Sequence, residues 1–387
     1  MRASLIGVIP VVLLALWAPE AAATWSVVAV NQRTGEIGVG QATCIVGPDL
    51  QESLAVVLPG IGGGCVQQWW DFQGNKRTAI WDGLQAGVPP QEIIDQIRNR
   101  AYQFGIVDTQ GRSATFTGIA GGSFAGGVAL TVGDLSFAIQ GNVLAGQNVV
   151  DAAVIALVET PGRMPEKLMA AMLAAAEAGG DGRCSCEGPG GADSCGSPPP
   201  GFDLEQGKSA HTGFMLVARV GDSTGVCNRN QGCANGTYFM NFNAAPGQNG
   251  PPDPIVEMAG EFQTWRAALA GRPDQLESSA KLSRRHVRGD RPKVVWMRIK
   301  LRDYDARRVR NRNVAVTVQH APGSAGLSSI GPVEPRGPGG YAVRLDVAPG
   351  SGLDQFWVQA DDGAGPVLLY PLPELCVGSA PPSASRR

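Results

Sequence analysis

Apolar and polar positions in this chain change period several times, and the changes mark its elements. Thr24 to Asn31 is largely β-branched and apolar, and after the turn Arg33-Thr34-Gly35-Glu36 the pattern resumes over Ile37 to Thr43, which predicts a strand, turn and strand. Ser53 to Pro59 and Gly63 to Gln68 predict two more strands. Helical spacing follows at Arg77 to Ala86 and at Pro90 to Tyr102, the second with Pro90 at its start and Ile93, Ile94 and Ile97 on one face. Strands resume at Phe104 to Asp108, Ser113 to Thr117, Val128 to Val132 and Leu135 to Ile139. Helices are expected at Val149 to Glu159 and Pro165 to Ala178, then strands at Thr212 to Val220 and Tyr238 to Asn243, and a helix from Asp253-Pro254 through Trp265. This order without strict alternation predicts an α+β fold whose strands are covered on both faces, because neither Thr24 to Val30 nor Ser53 to Leu58 alternates with polar residues.

The pattern changes again near residue 266. Residues 266–291 are polar and basic and read as a linker. Lys293 to Lys300, Val314 to Val318, Tyr341 to Val347 and Gln355 to Ala360 then alternate with period two between Gly/Pro turns, the signature of a β-sandwich over 292–377. Residues 378–387 read as a tail. The run Arg298, Lys300, Arg302, Arg307, Arg308, Arg310 and Arg312 reads as a solvated strand face and loop, with contact to a polyanion at the cell surface as the alternative.

Composition narrows the function classes. With 387 residues, 43% of them apolar and 17% charged, the chain is long enough for two domains; its net charge of −2 provides no overall field for nucleic acid. Arg2, an apolar run from Leu5 to Trp17 and small residues up to Ala23 give residues 1–23 the layout of a signal peptide. Nothing after it resembles a membrane span. The chain therefore reads as secreted or periplasmic. Its eight cysteines suggest disulfides; Cys227 and Cys233 flank a short polar loop and suit a staple, while Cys184, Cys186 and Cys195 lie in the Gly/Pro-rich stretch. Neither that cysteine spacing nor the three histidines, His211, His286 and His320, match a zinc pattern, so no metal and no cofactor are expected.

Cleavage after Ala23 places Ala21 and Ala23 where signal peptidase needs small residues, and the mature chain would begin at Thr24. There a hydroxyl adjoins its own α-amine, whose pKa of about 8 suits a general base at neutral pH. A serine triad is disfavoured, since His211 has no partner that the sequence singles out.

Several blocks together resemble the DUF1028 family, which is placed among the Ntn-hydrolase-like proteins. They are Thr24-Trp25-Ser26-Val27-Val28-Ala29 with Thr34 to Val39, Gln103-Phe104-Gly105-Ile106-Val107-Asp108 with Gly111, and Thr117-Gly118. Gln140-Gly141-Asn142-Val143-Leu144-Ala145-Gly146, Gly179-Gly180-Asp181-Gly182-Arg183 and Asp253-Pro254-Ile255-Val256 follow in order, so the resemblance covers residues 24 to about 261. It implies a four-layer αββα sandwich over 24–265 whose first strand delivers residue 24 to a cleft. By the same likeness Thr24 is the candidate nucleophile and Asn142 the candidate oxyanion donor, with a small amide or peptide-like bond as substrate. Asp181 and Arg183 are candidates for holding the amine or a substrate carboxylate. The sequence departs from the family at Tyr102, at Ser123-Phe124-Ala125-Gly126 and in the cysteine-bearing insertion 184–206. No lysine stands where proteasome-type threonine enzymes carry one. The C-terminal sandwich resembles bacterial Ig-like surface modules, carried by Asn313 to Val318, Gly339-Gly340-Tyr341 and Phe356 to Gly363, which implies a cell-surface partner. The competing reading is a non-catalytic exported binding protein.

Overall fold

A computed structural model describes residues 24–47, 49–119, 124–186, 195–246, 251–311 and 313–378. Residues 1–23, read from the sequence as a signal peptide, the middle of the insertion and the residues beyond 378, read as a tail, lie outside the described residues.

The N-terminal part mixes helices with antiparallel strands. Its strands are β1 (Thr24–Asn31), β2 (Ile37–Thr43), β3 (Ala55–Leu58), β4 (Gly62–Gln67) and β5 (Gln103–Asp108), followed by β6 (Ser113–Thr117), β7 (Ala125–Val132), β8 (Leu135–Asn142), β9 (Thr212–Ala218) and β10 (Met240–Ala244). Its helices are α1 (Leu50–Leu54), α2 (Asn75–Gln85), α3 (Pro90–Ile97), α4 (Asn148–Glu159), α5 (Met164–Glu177), α6 (Gly182–Ser185) and α7 (Pro254–Ala268). Six strands form one sheet in the order β10-β9-β2-β1-β8-β7, and four form another in the order β3-β4-β5-β6.

Burial explains why β1 shows no polar alternation. Trp25, Val27 and Ala29 pack under Leu157 of α4, Leu168 and Met172 of α5 and Ile255 of α7. The intervening Val28 and Val30 share a core with Val57 and Val107 of the smaller sheet. The far face of that smaller sheet, including Phe104 and Ile106, carries Ile80 and Leu84 of α2 with Ile93, Ile94 and Ile97 of α3. Several predicted boundaries moved by two residues or more, two of them for a visible reason. The strand expected from Ser53 starts only at Ala55, because Asp49 accepts from the Glu52 N–H and caps the short helix α1. Helix α3 stops at Ile97, whose carbonyl accepts from Lys76 Nζ at 2.8 Å, five residues short of Tyr102.

The C-terminal part is all β: β11 (Ser279–Leu282), β12 (His286–Val287), β13 (Lys293–Lys300), β14 (Ala315–His320), β15 (Ser328–Pro335), β16 (Gly340–Val347), β17 (Gly352–Asp361), β18 (Pro366–Leu368) and β19 (Glu374–Val377). The sheets β11-β13-β16-β15 and β12-β19-β17-β14 close on one core, in which Val295, Met297 and Ile299 meet Phe356 and Val358. The segment read as a linker carries β11 and β12, each hydrogen-bonded into one of these sheets. β15 escaped the period-two reading because a bulge between Ile330 and Val333 interrupts its register beside Pro332.

A buried charge network fastens the two parts together. Arg219, just past β9, donates to Glu36 Oε1 at 3.0 Å and to Asp274 Oδ2 at 2.8 Å, and its guanidinium lies 3.3 Å from the centroid of the Phe239 ring. Asp274 also accepts from Arg163, which stacks on Tyr304, and the Tyr304 hydroxyl donates to Glu166. Burial would raise the Asp274 pKa, but the two guanidinium groups outweigh it and hold the carboxyl below its ordinary range.

Asp222 beside this network behaves oppositely. Burial pushes its pKa up to about 6, against the N–H groups of Arg219 and Phe239 that both donate to its Oδ2. A folded-state pKa raised above the unfolded one gives a stabilising contribution that is present below about pH 4 and lost as pH rises through about 6. Asp222→Asn retains an oxygen acceptor and does not titrate. The difference in Tm between the variant and the parent is therefore expected to widen in the variant's favour between pH 4 and 7 and then level off. A constant difference across thermal melts at several pH values would refute this.

Among the described residues no helix is long and apolar enough to cross a membrane. Disulfides join Cys44–Cys184, Cys186–Cys195 and Cys227–Cys233, the last across the short loop that the sequence marked. These three bridges are compatible with an extracellular location.

Candidate functional site

Strand ends from both sheets converge where β1 begins. Thr24 lies opposite Asn142, the last residue of β8, while β4 ends at Gln67 directly opposite Gln103, the first residue of β5. Thr24 is 1% exposed, and Gln67, Gln103 and Asn142 are fully buried. Gln67 Nε2 donates to the Thr24 carbonyl at 2.9 Å and to Gln103 Oε1 at 2.6 Å. Asn142 Nδ2 is 3.1 Å from Gln103 Oε1 and 3.5 Å from the Thr24 carbonyl. Gln103 in turn donates to the carbonyl of Gly141 and to the Thr117 hydroxyl. Three carboxamides from two sheets thus fix the backbone of residue 24.

A fourth carboxamide shapes the next layer. Gln140 donates to the Ser26 hydroxyl at 2.6 Å, and its other edge lies against Gly105, where a β-carbon would sit 2.2 Å from Gln140 Oε1. A β-carbon there would displace the amide from this position. Among the described residues, five side-chain oxygens are buried without a hydrogen-bond donor, those of Gln41 and Gln275 and, around this site, those of Gln67, Gln140 and Asn142. Each such oxygen costs roughly 1–3 kcal/mol, so the clustering of the last three at one place calls for an explanation.

Of the candidates read from the sequence, Thr24 and Asn142 are brought together. Asp181 and Arg183 are engaged elsewhere. Asp181 is fully buried, caps α6, pairs with Arg183 Nη2 at 2.8 Å and accepts from the Cys44 N–H at 2.7 Å. With the Cys44–Cys184 disulfide this fixes the end of β2 to α6. Gly180, just before, has φ +52° and a β-carbon position 2.7 Å from the Trp25 ring. Gly180→Ala is therefore expected to lower stability by about 1–3 kcal/mol through overpacking and backbone strain, read as a lower midpoint in urea.

The sequence reading missed Gln67 and gave no role to Gln103, although Gln103 stands in a block quoted for the family likeness. Isolated glutamines at strand ends carry no periodic signal. Also missed were exposed apolar side chains on loops leaving the same end of the sheets: Val46, Trp69, Phe72 and Ile119, the last two more than 70% exposed. Nearby, a cavity of about 390 Å³ is lined by Ile45, Trp70, Phe72 and Arg77.

Other chemistries fit less well. Cys65 is fully buried and burial pushes its thiol pKa far up, so it offers no thiolate. Gly221-Asp222-Ser223-Thr224-Gly225 spells a Gly-x-Ser-x-Gly pattern, but it lies in an irregular loop between β9 and β10 and not at a strand-to-helix turn. Cys44, Cys184 and His211 have ligand atoms within 4.8 Å of one another, yet the two sulfurs are joined to each other.

No curated protein matches the chain. Among solved structures it is similar to protein SPO2555 from Silicibacter pomeroyi, described with the DUF1028 family, at 20% identity over 63% of this chain and 89% of that one, with a TM-score of 0.43. It is also similar to the Yersinia pseudotuberculosis adhesin InvE, at 19% identity over 24% of this chain and 25% of that one, with a TM-score of 0.19. The Escherichia coli adhesin FdeC is similar at 8% identity over 92% of this chain and 64% of that one, with a TM-score of 0.22. Residues 24–187, the segment that carries Thr24, Gln67, Gln103, Asn142, Asp181 and Arg183, match the model of the family described as "Family of unknown function (DUF1028)".

Proposed function

We propose that the N-terminal part is an Ntn-hydrolase-like domain, a four-layer αββα sandwich that acts as an exported amidohydrolase once residues 1–23 are removed. The observation that carries this reading is the set of buried carboxamides around Thr24. Gln67 and Asn142 hold its carbonyl while their own oxygens stay buried without a donor, and an α-amine released at Thr24 or a substrate N–H would supply one. In this mechanism the Thr24 hydroxyl oxygen attacks the amide carbonyl carbon, and its proton passes to the α-amine. The negative charge on the carbonyl oxygen is met by N–H donors, of which Asn142 Nδ2 is one; its 3.5 Å contact to the Thr24 carbonyl is long enough to yield to a stronger acceptor. The C–N bond then breaks, the leaving nitrogen takes the proton, and water releases the acyl group from Thr24. The exposed Trp69, Phe72 and Ile119 at the same end of the sheets favour a substrate with apolar groups beside the amide.

The competing reading, an exported binder with an Ig-like module for partners, has one observation in its favour. Asp181 is already occupied by its cap, by Arg183 and by the Cys44 N–H, so the pair assigned to substrate has a structural task. Intact-mass and terminal sequencing of the exported protein separates the readings. A chain starting at Thr24 with an unmodified amine is expected; a retained or blocked terminus removes the base and leaves the binder.

A further inference from the structure

We infer that the outer face of the sheet β11-β13-β16-β15 is a binding groove for an acidic polysaccharide. Arg298 and Lys300 project from β13 on the face opposite its buried Val295, Met297 and Ile299, and Arg302 continues the line beyond the strand. Alternate strand residues place such charges about 6.6 Å apart. With Arg308, Arg336, Trp296 and Tyr341 they line a groove of about 590 Å³, a size typical of ligand clefts, roughly 300–1,000 Å³.

The arrangement sets like charges side by side. Lys281 stands directly opposite Arg298 across the β11–β13 pair, and Arg302 opposite Arg308 across an isolated antiparallel bridge. Like charges so placed repel. Arg336 is paired with Glu334, but among the described residues no ion pair is formed by Arg298, Lys300, Arg302 or Arg308. This contrasts with the buried arginines of the same chain, Arg163 and Arg219, each of which meets a carboxylate. Guanidinium forks suit carboxylate and sulfate groups, and the exposed Trp296, on the same face of β13 as Arg298 and Lys300, suits a sugar ring. Three disulfides fit an oxidising exterior, and a stacking face beside the charges favours a sugar polymer over a bare polyanion.

The test is titration of the full mature chain with a heparin oligosaccharide, followed by tryptophan fluorescence and calorimetry at low and physiological ionic strength. Saturable binding that weakens with salt is expected. The double variant Arg298→Glu/Lys300→Glu should bind at least about tenfold more weakly, since two groove charges change sign. Its Tm should not fall, because a glutamate at 298 faces Lys281. Trp296→Ala should weaken binding roughly three- to tenfold with the salt dependence retained, the effect of losing a stacking face. Neutral maltohexaose should not bind. Absence of saturable binding, or equal affinity in the double variant, would overturn the inference. So would tighter binding of single-stranded poly(dT), or of vesicles of anionic phospholipid, through the same residues, since the groove would then serve a nucleic acid or a membrane surface.

Discussion

Replacing Thr24 by alanine is expected to abolish hydrolysis of any amide that the wild-type protein cleaves, by a factor on the order of 10³ or more, because one substitution removes the attacking atom. Alanine is also small, so cleavage after residue 23 and export should continue, and the trimmed protein should fold. The variant's Tm is expected to stay within a few degrees of the parent, since β1 keeps its ladder to β2 and β8. Thr24→Ser should retain most of the activity, as it presents the same oxygen beside the same amine. Acetylating the terminal amine should have the effect of the alanine variant without changing a side chain. Gln67→Met is a weaker version of the same experiment: it leaves the hydroxyl and amine but releases the Thr24 carbonyl, so it should lower turnover with little change in export. The measurement is amide hydrolysis against a library of peptides and acyl amides with apolar flanks. Equal hydrolysis by the wild type and Thr24→Ala would sink the proposal, and so would a wild-type activity indifferent to acetylation.

The largest stability effect is expected at Arg219. Its side chain and those of Glu36 and Asp274 are at most 3% exposed, so Arg219→Met leaves one carboxylate without its partner and the other with only Arg163. Removing one member of a buried ion pair costs about 3–5 kcal/mol, because the stranded charge must be rehydrated or protonated. The Phe239 ring also loses the guanidinium stacked on it. Since Glu36 lies in the β1–β2 turn and Asp274 follows α7 on the way to β11, the loss should loosen the seat of the C-terminal sheets on the N-terminal part. Limited proteolysis is then expected to cut between Ala268 and Ser279, and urea unfolding to split into two transitions. Asp274 adds a pH signature. Its carboxyl is held below the ordinary range by Arg219 and Arg163, so its contribution is present above the unfolded pKa and lost as pH falls through the lower folded one. The penalty of Arg219→Met should therefore shrink in acid. A single transition with an unchanged midpoint would show that the network does not fasten the parts.

Most local elements were legible in the sequence, because burial leaves its mark residue by residue; the short α1, β11 and β12 and the bulged β15 were not. A strand covered on both faces lacks a polar alternation, as Thr24 to Val30 does, and a strand covered on one face alternates, as Lys293 to Lys300 does. It also marked the Cys227–Cys233 bridge, whose ends are only six residues apart. The meetings of residues far apart in the chain came from the packing of the layers. Gln67, Gln103 and Asn142 converge on residue 24 because two sheets pack with their ends aligned, and nothing in the spacing of three lone carboxamides announces that. The Cys44–Cys184 bridge spans 140 residues, and Glu36, Arg219 and Asp274 come from three separate segments. Local periodicity reports which face of an element is buried. It carries no record of what covers that face, since pairing across long loops depends on how the layers fit together and on which buried charges find partners there.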